Sequence, residues 1–206
     1  NPFFVDEVNV YRSAISSEYG GRVSGVVDIK SKSKIPEKMH FGMGIDMIHA
    51  HFDFETPLWK NSALYISFRR RITEIWASPT FLSYADWIFQ GSKVDPERFA
   101  ANDLEFNDLF AFNDANLKWV YNLPKDRFEL STFGTLNKLN YSTALPNRNA
   151  FVLDQLDLKN GGAKISWERD WADDLTSNVI ITNAEYDYKY DMDRNTRTVH
   201  VYVRTY

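Results

Sequence analysis

Three histidines, a pair of carboxylates and a run of arginines are the residues of this chain with chemistry to offer. His49 and His51 are two apart in an alternating run, so they share one face of a strand and could both meet one metal ion. His40 lies close by in sequence. The chain has no Cys and its carboxylates are loosely spaced around these imidazoles, so no metal is expected and the histidines read as the lining of a polar face. Asp53 and Glu55 are spaced as a glycosidase pair would be on a strand, although solvated polarity is the commoner reason for such a pair. Asp191-Met192-Asp193-Arg194-Asn195 places oxygen ligands at alternate positions, but it lacks the Gly and the distal Glu of a calcium loop and reads as a turn. There is no G-x-S-x-G, no H-E-x-x-H and no phosphate loop. The chain is therefore read as non-enzymatic and without a cofactor. In Arg69-Arg70-Arg71, alternation sends Arg69 and Arg71 to one face and Arg70 to the other.

The elements that must position these groups are strands. Alternation predicts strands over 5–13 and 23–30, then a polar linker containing Pro36. From Met39 onward it predicts strands over 39–55, 63–73, 108–122, 127–141, 156–169, 175–190 and 196–206. Within 39–55 the apolar phase slips by one residue. Phe41, Met43 and Ile45 share a face, but Phe52 and Phe54 carry the opposite parity, as a β-bulge would produce. Glu74 to Asn107 breaks the pattern and reads as a long loop with helical content, Asp95-Pro96 resembling a helix start. Connections near 57–61, 123–126 and 170–174 are short, and those near 74–107 and 142–155 are long. Aromatics gather at the short-turn ends: Trp59, Trp119, Tyr121, Phe128, Trp167 and Trp171. Short turns on one rim, long loops on the other and an aromatic belt are the marks of bacterial outer-membrane barrels.

Composition permits this reading. The chain has 206 residues, a formal net charge of -4, 44% hydrophobic and 16% aromatic residues, and a mean hydropathy of -0.43. No apolar run approaches the roughly 18 residues of a membrane helix. Alternating strands hide their hydrophobicity from such a count. No basic stripe suggests nucleic acid as a partner. Runs of about fifteen residues exceed the ordinary soluble strand of about five to six. About seven strands follow Met39, short of the roughly eight that close the smallest barrel. A lipid-exposed sheet tolerates no bare edge, so further strands are expected beyond this sequence. Both ends read as truncations.

Glu18-Tyr19-Gly20-Gly21-Arg22-Val23-Ser24-Gly25-Val26-Val27-Asp28-Ile29-Lys30 resembles the end of the plug domain of TonB-dependent outer-membrane receptors, most of all the Bacteroidetes-type members, just before their barrel begins. Phe52-Asp53-Phe54-Glu55-Thr56-Pro57-Leu58 is similar to that family's L-x-L-E-G-P-I turn, with Thr56 in place of Gly, and is followed by an S-x-R-R run at Ser67-Phe68-Arg69-Arg70. The resemblance implies residues 1–33 as the C-terminal part of a plug, 34–38 as a linker and 39–206 as the first strands of an all-β, antiparallel transmembrane barrel of about 22 strands. The TonB box and the first half of the plug are not in the sequence.

The resemblance further implies a receptor in the bacterial outer membrane. It takes up a scarce substrate (a siderophore, cobalamin, a glycan or a peptide) with energy passed through TonB, which would engage a segment absent from this chain. Lipid and lipopolysaccharide would surround it, with Arg70 placed to meet lipopolysaccharide phosphates, and a surface lipoprotein or larger envelope complex could accompany it. Tyr19, Gly20, Gly21 and Arg22 would form a structural bend of the plug. Asp46, Asp53, Glu55, Arg69 and Arg71 would be lumen-facing charges, and Trp76, Trp87 and Phe89 loop contacts for ligand. Two other readings stay open at this point: an accessory barrel subunit of a secretion or biogenesis complex, and a soluble carbohydrate-binding β-sandwich.

Overall fold

The computed structural model describes residues 2–12, 25–72, 110–144, 151–192 and 201–205, together with Pro79 and Ser83. A 3-10 turn at Pro2–Phe4 leads into β1 (Val5–Tyr11), which pairs antiparallel with β2 (Val26–Ser31) in a two-stranded sheet. The remaining strands are β3 (His40–Ile45), β4 (His49–Trp59), β5 (Ser62–Arg71), β6 (Phe110–Asn122), β7 (Asp126–Ala144), β8 (Phe151–Ala172), β9 (Leu175–Met192) and β10 (Val201–Thr205). They form one antiparallel sheet in strict sequence order. The all-β, antiparallel expectation therefore holds. The Gly20-Gly21 bend and the helical content expected over 74–107 lie outside the described residues, as do Tyr19, Arg22, Trp76, Trp87 and Phe89.

Two sequence expectations differ from the structure. The slip in phase within 39–55 is a hairpin turn and not a bulge, so the sheet has eight strands where about seven were expected. The register runs His40↔Glu55 to Ile45↔Ala50, and the chain reverses between them. The Asp46 carboxylate makes the reversal possible. Its Oδ1 accepts from the amides of Ile48 at 2.9 Å and His49 at 2.8 Å, the side-chain substitute for a backbone turn that Asp supplies well. This tight turn lies at the same end of the sheet as the connections 73–109, 145–150 and 193–200. The opposite end carries only short turns at 60–61, 123–125 and 173–174. The other difference is length: β7 runs on to Ala144 and β8 starts at Phe151, so strand replaces much of the loop expected over 142–155.

Residues paired across an antiparallel ladder share a face. One face of the large sheet receives the N-terminal unit and is termed inner; the other is outer. The outer rows read Thr56–Leu64–Trp119–Leu130–Ile165–Ile181 and Phe41–Phe54–Ile66–Leu117–Thr132–Ala163. The inner rows read Glu55–Tyr65–Lys118–Ser131–Lys164–Thr182 and His51–Arg69–Asp114–Thr135–Asn160–Tyr186. Polarity is thus inverted relative to a soluble sheet. Among the described residues, the buried apolar core is Ala63, Tyr65 and Val120, with Phe4 and Ile35 packed against it, whereas Ser67, Arg71, Asp114, Lys118 and Ser166 are buried polar groups. Met43, Ile45 and Ile181 are exposed at 74%, 76% and 65%.

The pattern reverses once more along the longest strands. From the row of Leu136 onward, the outer face of β7–β9 carries Lys138, Asp157, Lys159, Asp187 and Lys189, while the inner face carries Leu139, Leu156, Leu158, Tyr188 and Tyr190.

Asp46 gives a direct check on the first hairpin. Partial burial raises its pKa, but the Ile48 and His49 amides and the neighbouring imidazoles outweigh this and hold it below the ordinary carboxylate value. A lowered folded pKa contributes stability that is complete above the unfolded value near 3.8 and is lost as pH falls through the folded one. The protection factors of the Ile48 and His49 amides, after correction for the intrinsic rate, are expected to fall on acidification through that range. Asp46→Ala is expected to lower their protection at neutral pH by about 1 kcal/mol; hydrogen exchange on wild type and variant measures both effects.

Candidate functional site

The inner face holds the N-terminal unit through a row of three side chains on three neighbouring strands. Glu55 on β4, Tyr65 on β5 and Lys118 on β6 stand opposite one another in the register. Each grips a different point between the end of β2 and Lys34. Lys32 Nζ donates to Glu55 Oε2 at 3.2 Å. The Tyr65 hydroxyl donates to the Lys34 carbonyl. Lys118 Nζ donates to the Ser31 carbonyl at 3.3 Å and to Ser31 Oγ at 3.1 Å. Strand pairing builds the row, because residues of one parity on three strands must stand side by side about 4.8 Å apart. That spacing suits an extended chain crossing the strands.

Lys118 is the demanding member. It is 4% exposed, and an ammonium taken out of water costs several kcal/mol unless it is paired and hydrogen-bonded. Glu129 on β7 supplies the charge at 3.2 Å and is itself held by Arg127 Nη2 at 2.7 Å. The two Ser31 oxygens accept the remaining protons of the ammonium.

A second group of contacts lies toward the long-connection end. Phe3 stacks on the His51 ring with centroids 4.2 Å apart. Arg69 Nε donates to Asp114 Oδ2 at 2.6 Å, and its guanidinium lies over the Phe112 ring, 5.1 Å from the centroid. His51 has room because its neighbour on β3 is glycine: a Cβ on Gly44 would sit 2.4 Å from the His51 ring, and one on Gly42 would sit 2.5 Å from the Asp53 carboxylate.

The sequence-expected charges thus take different places. Asp53, Glu55, Arg69 and Arg71 share the inner face, Arg70 is on the outer face, and Asp46 is spent on its own turn. His49 and His51 are neighbours, with ring centroids 5.8 Å apart. No group of three or more potential metal ligands occurs among the described residues. Sequence reading missed Ser31, Lys32, Tyr65, Lys118 and Glu129. One signal was visible: Lys118 stands between Leu117 and Trp119 in a strand otherwise apolar on that stretch. Its partner was not, because Ser31 lies 87 positions away.

The outer face ends in an aromatic rim at the short-turn end. Trp119 stacks with Tyr121 at 6.0 Å and Phe128 with Trp167 at 6.5 Å. Each indole N–H reaches a polar partner: Trp119 to Ser62 Oγ at 2.8 Å, Trp167 to Asp126 Oδ1 at 2.9 Å and Trp171 to Ser177 Oγ at 3.1 Å. Arg169 pairs with Asp126 at 3.3 Å and covers the Trp171 ring at 4.5 Å. Apolar rings on one side and satisfied polar tips on the other are what a boundary between oil and water selects.

Lys118→Met is expected to destabilise the attachment of 31–34 by about 3 kcal/mol, because it leaves Glu129 short of a cation in a dry place. Tyr65→Phe, which removes one neutral hydrogen bond, is expected to cost about 1 kcal/mol. Protease cleavage within 31–38 of the folded protein reads both, and the Lys118 variant should cut faster than the Tyr65 variant.

The chain matches no family model, no curated protein and no solved structure.

Proposed function

We propose that this chain supplies part of the wall and part of the plug of a TonB-dependent outer-membrane receptor, which binds a scarce substrate (a siderophore, cobalamin, a glycan or a peptide) outside the cell and admits it when energy passed through TonB displaces the plug. The observation that carries this reading is the inverted polarity of the eight-stranded sheet, with a second unit held against its polar face.

Magnitudes favour lipid over water at the outer face. Phe41, Met43, Ile45, Phe68, Leu130, Leu136, Ile165, Val179 and Ile181 point outward at 38–76% exposure. At about 1 kcal/mol for each half-exposed side chain, the group costs on the order of 10 kcal/mol in water. That is comparable with the entire stability of an ordinary domain, about 5–15 kcal/mol. On β7 the uncharged outward run extends from Phe128 to Leu136. At about 3.3 Å per residue it is about 26 Å long, or about 20 Å of membrane depth at a tilt near 40°. The apolar band of outer-membrane barrels is about 25 Å tall. The indoles at one edge of this run and the charges past Leu136 at the other sit where two interfaces would fall.

No helix among the described residues is long and apolar enough to cross a membrane; in this reading the strands make the crossing. A soluble carbohydrate-binding β-sandwich accounts poorly for this sheet, because it would bury Phe and Ile and expose Lys and Arg. Among the described residues β3 and β10 each pair on one side only, and in this reading further strands complete the wall, since lipid leaves no edge unpaired.

Tryptophan fluorescence tests the proposal. The full-length protein is reconstituted in bilayers whose acyl chains carry bromine. Strong quenching is expected, and it should fall when Trp119 and Trp167 are replaced by Phe. Recovery of the protein in the aqueous fraction without detergent, with no quenching, would sink the membrane reading.

A further inference from the structure

Between β2 and the inner face of β7–β9 lies a cleft of about 1330 Å³. Its lining carries four cations, Lys30, Lys118, Arg127 and Lys164, and three carboxylates, Asp28 on the β2 side and Glu129 and Glu168 on the wall. Glu129 is shared by Lys118 and Arg127, and Glu168 stands opposite Arg127 in the β7–β8 register. On the facing side Lys30 is engaged by Glu7 at 3.2 Å. Lys164 remains, with no carboxylate partner among the described residues.

Its neighbours are hydroxyls. Ser131 and Thr182 stand directly opposite Lys164 on the strands to either side, and Ser166 is two residues along on the same face. All three line the cleft. Adjacent strands are about 4.8 Å apart, so these hydroxyls surround the lysine at a distance that one small tetrahedral or planar group spans. None of the three is engaged by another side chain among the described residues. A half-buried cation with three free donors around it lacks one thing, a compact acceptor with negative charge.

We propose that this corner of the cleft binds an oxyanion, the carboxylate or phosphate group of a ligand. Lys164 supplies the charge, and Ser131, Ser166 and Thr182 donate hydroxyl hydrogen bonds. The site stands on the cleft alone. Its use as a station for an anionic substrate passing the plug rests on the transport reading above.

Calorimetric titration of the detergent-purified full-length protein tests it, with inorganic phosphate and, separately, citrate as probes, against chloride at equal ionic strength. Saturable binding of at least one oxyanion is expected. Phosphate alone would mark a phosphoryl site, and citrate a carboxylate site. Lys164→Gln should weaken that binding at least tenfold. Lys159→Gln, which alters an outer-face lysine, should leave it unchanged. If Lys164→Gln fails to fold, the double variant Ser131→Ala, Thr182→Val is expected to weaken binding at least fivefold. Equal affinity in wild type and these cleft variants, or no saturable binding of either anion, overturns the proposal. The readout involves neither lipid nor uptake, so its failure and that of the membrane reading are told apart.

Discussion

A buried ammonium holds this structure to its arrangement. Lys118 lies in the middle of β6, on a strand whose other face is apolar, and is almost fully shielded from water. A desolvated lysine is stable only where its protons and its charge are all answered. Glu129 answers the charge and Ser31 answers the protons. The wall therefore depends on the segment that crosses it, as much as that segment depends on the wall. Removing 31–34 would leave Lys118 and Tyr65 without these partners, and removing Lys118 would leave half-buried Glu129 with Arg127 as its one remaining cation among the described residues.

From that dependence the two faces follow. The inner face is polar because it holds a linker by its carbonyls and charges. The outer face, released from any packing duty inside, carries the apolar residues. Along β7–β9 the assignment changes from the row of Leu136 onward, where charges move out and Leu and Tyr move in. One strand thus carries two solvent regimes in series. In the reading proposed here, the change marks where lipid ends.

Much of this was legible in the sequence because a strand alternates with period two and each face keeps its own chemistry. The parity of Arg69 and Arg71 against Arg70 gave the faces of β5 correctly, and Trp119 with Tyr121 gave the rim. The first hairpin was misread because its reversal uses Asp46 in place of Gly or Pro. A change of phase with no break in hydrophobicity looks the same for a bulge and for a tight turn. The clamp was not legible at all. Its members come from β4, β5, β6 and the linker, and only pairing between distant strands brings Glu55, Tyr65 and Lys118 into one row. No periodicity within a single strand encodes a row across three of them.

The outer-face side chains have a consequence for substitution. If lipid covers the outer face, as proposed above, the exposed Ile165, Ile181 and Leu130 meet no partner of fixed shape, so a greasy residue of another outline serves as well in each place. Lys118 and Glu55 must match a partner atom by atom. In the membrane reading proposed above, tolerance in this sheet runs opposite to that of a soluble protein: outer hydrophobic positions are free to drift in identity, while the polar inner face is fixed. A designer could rewrite one side of every strand with little loss, and would find the other side nearly unwritable.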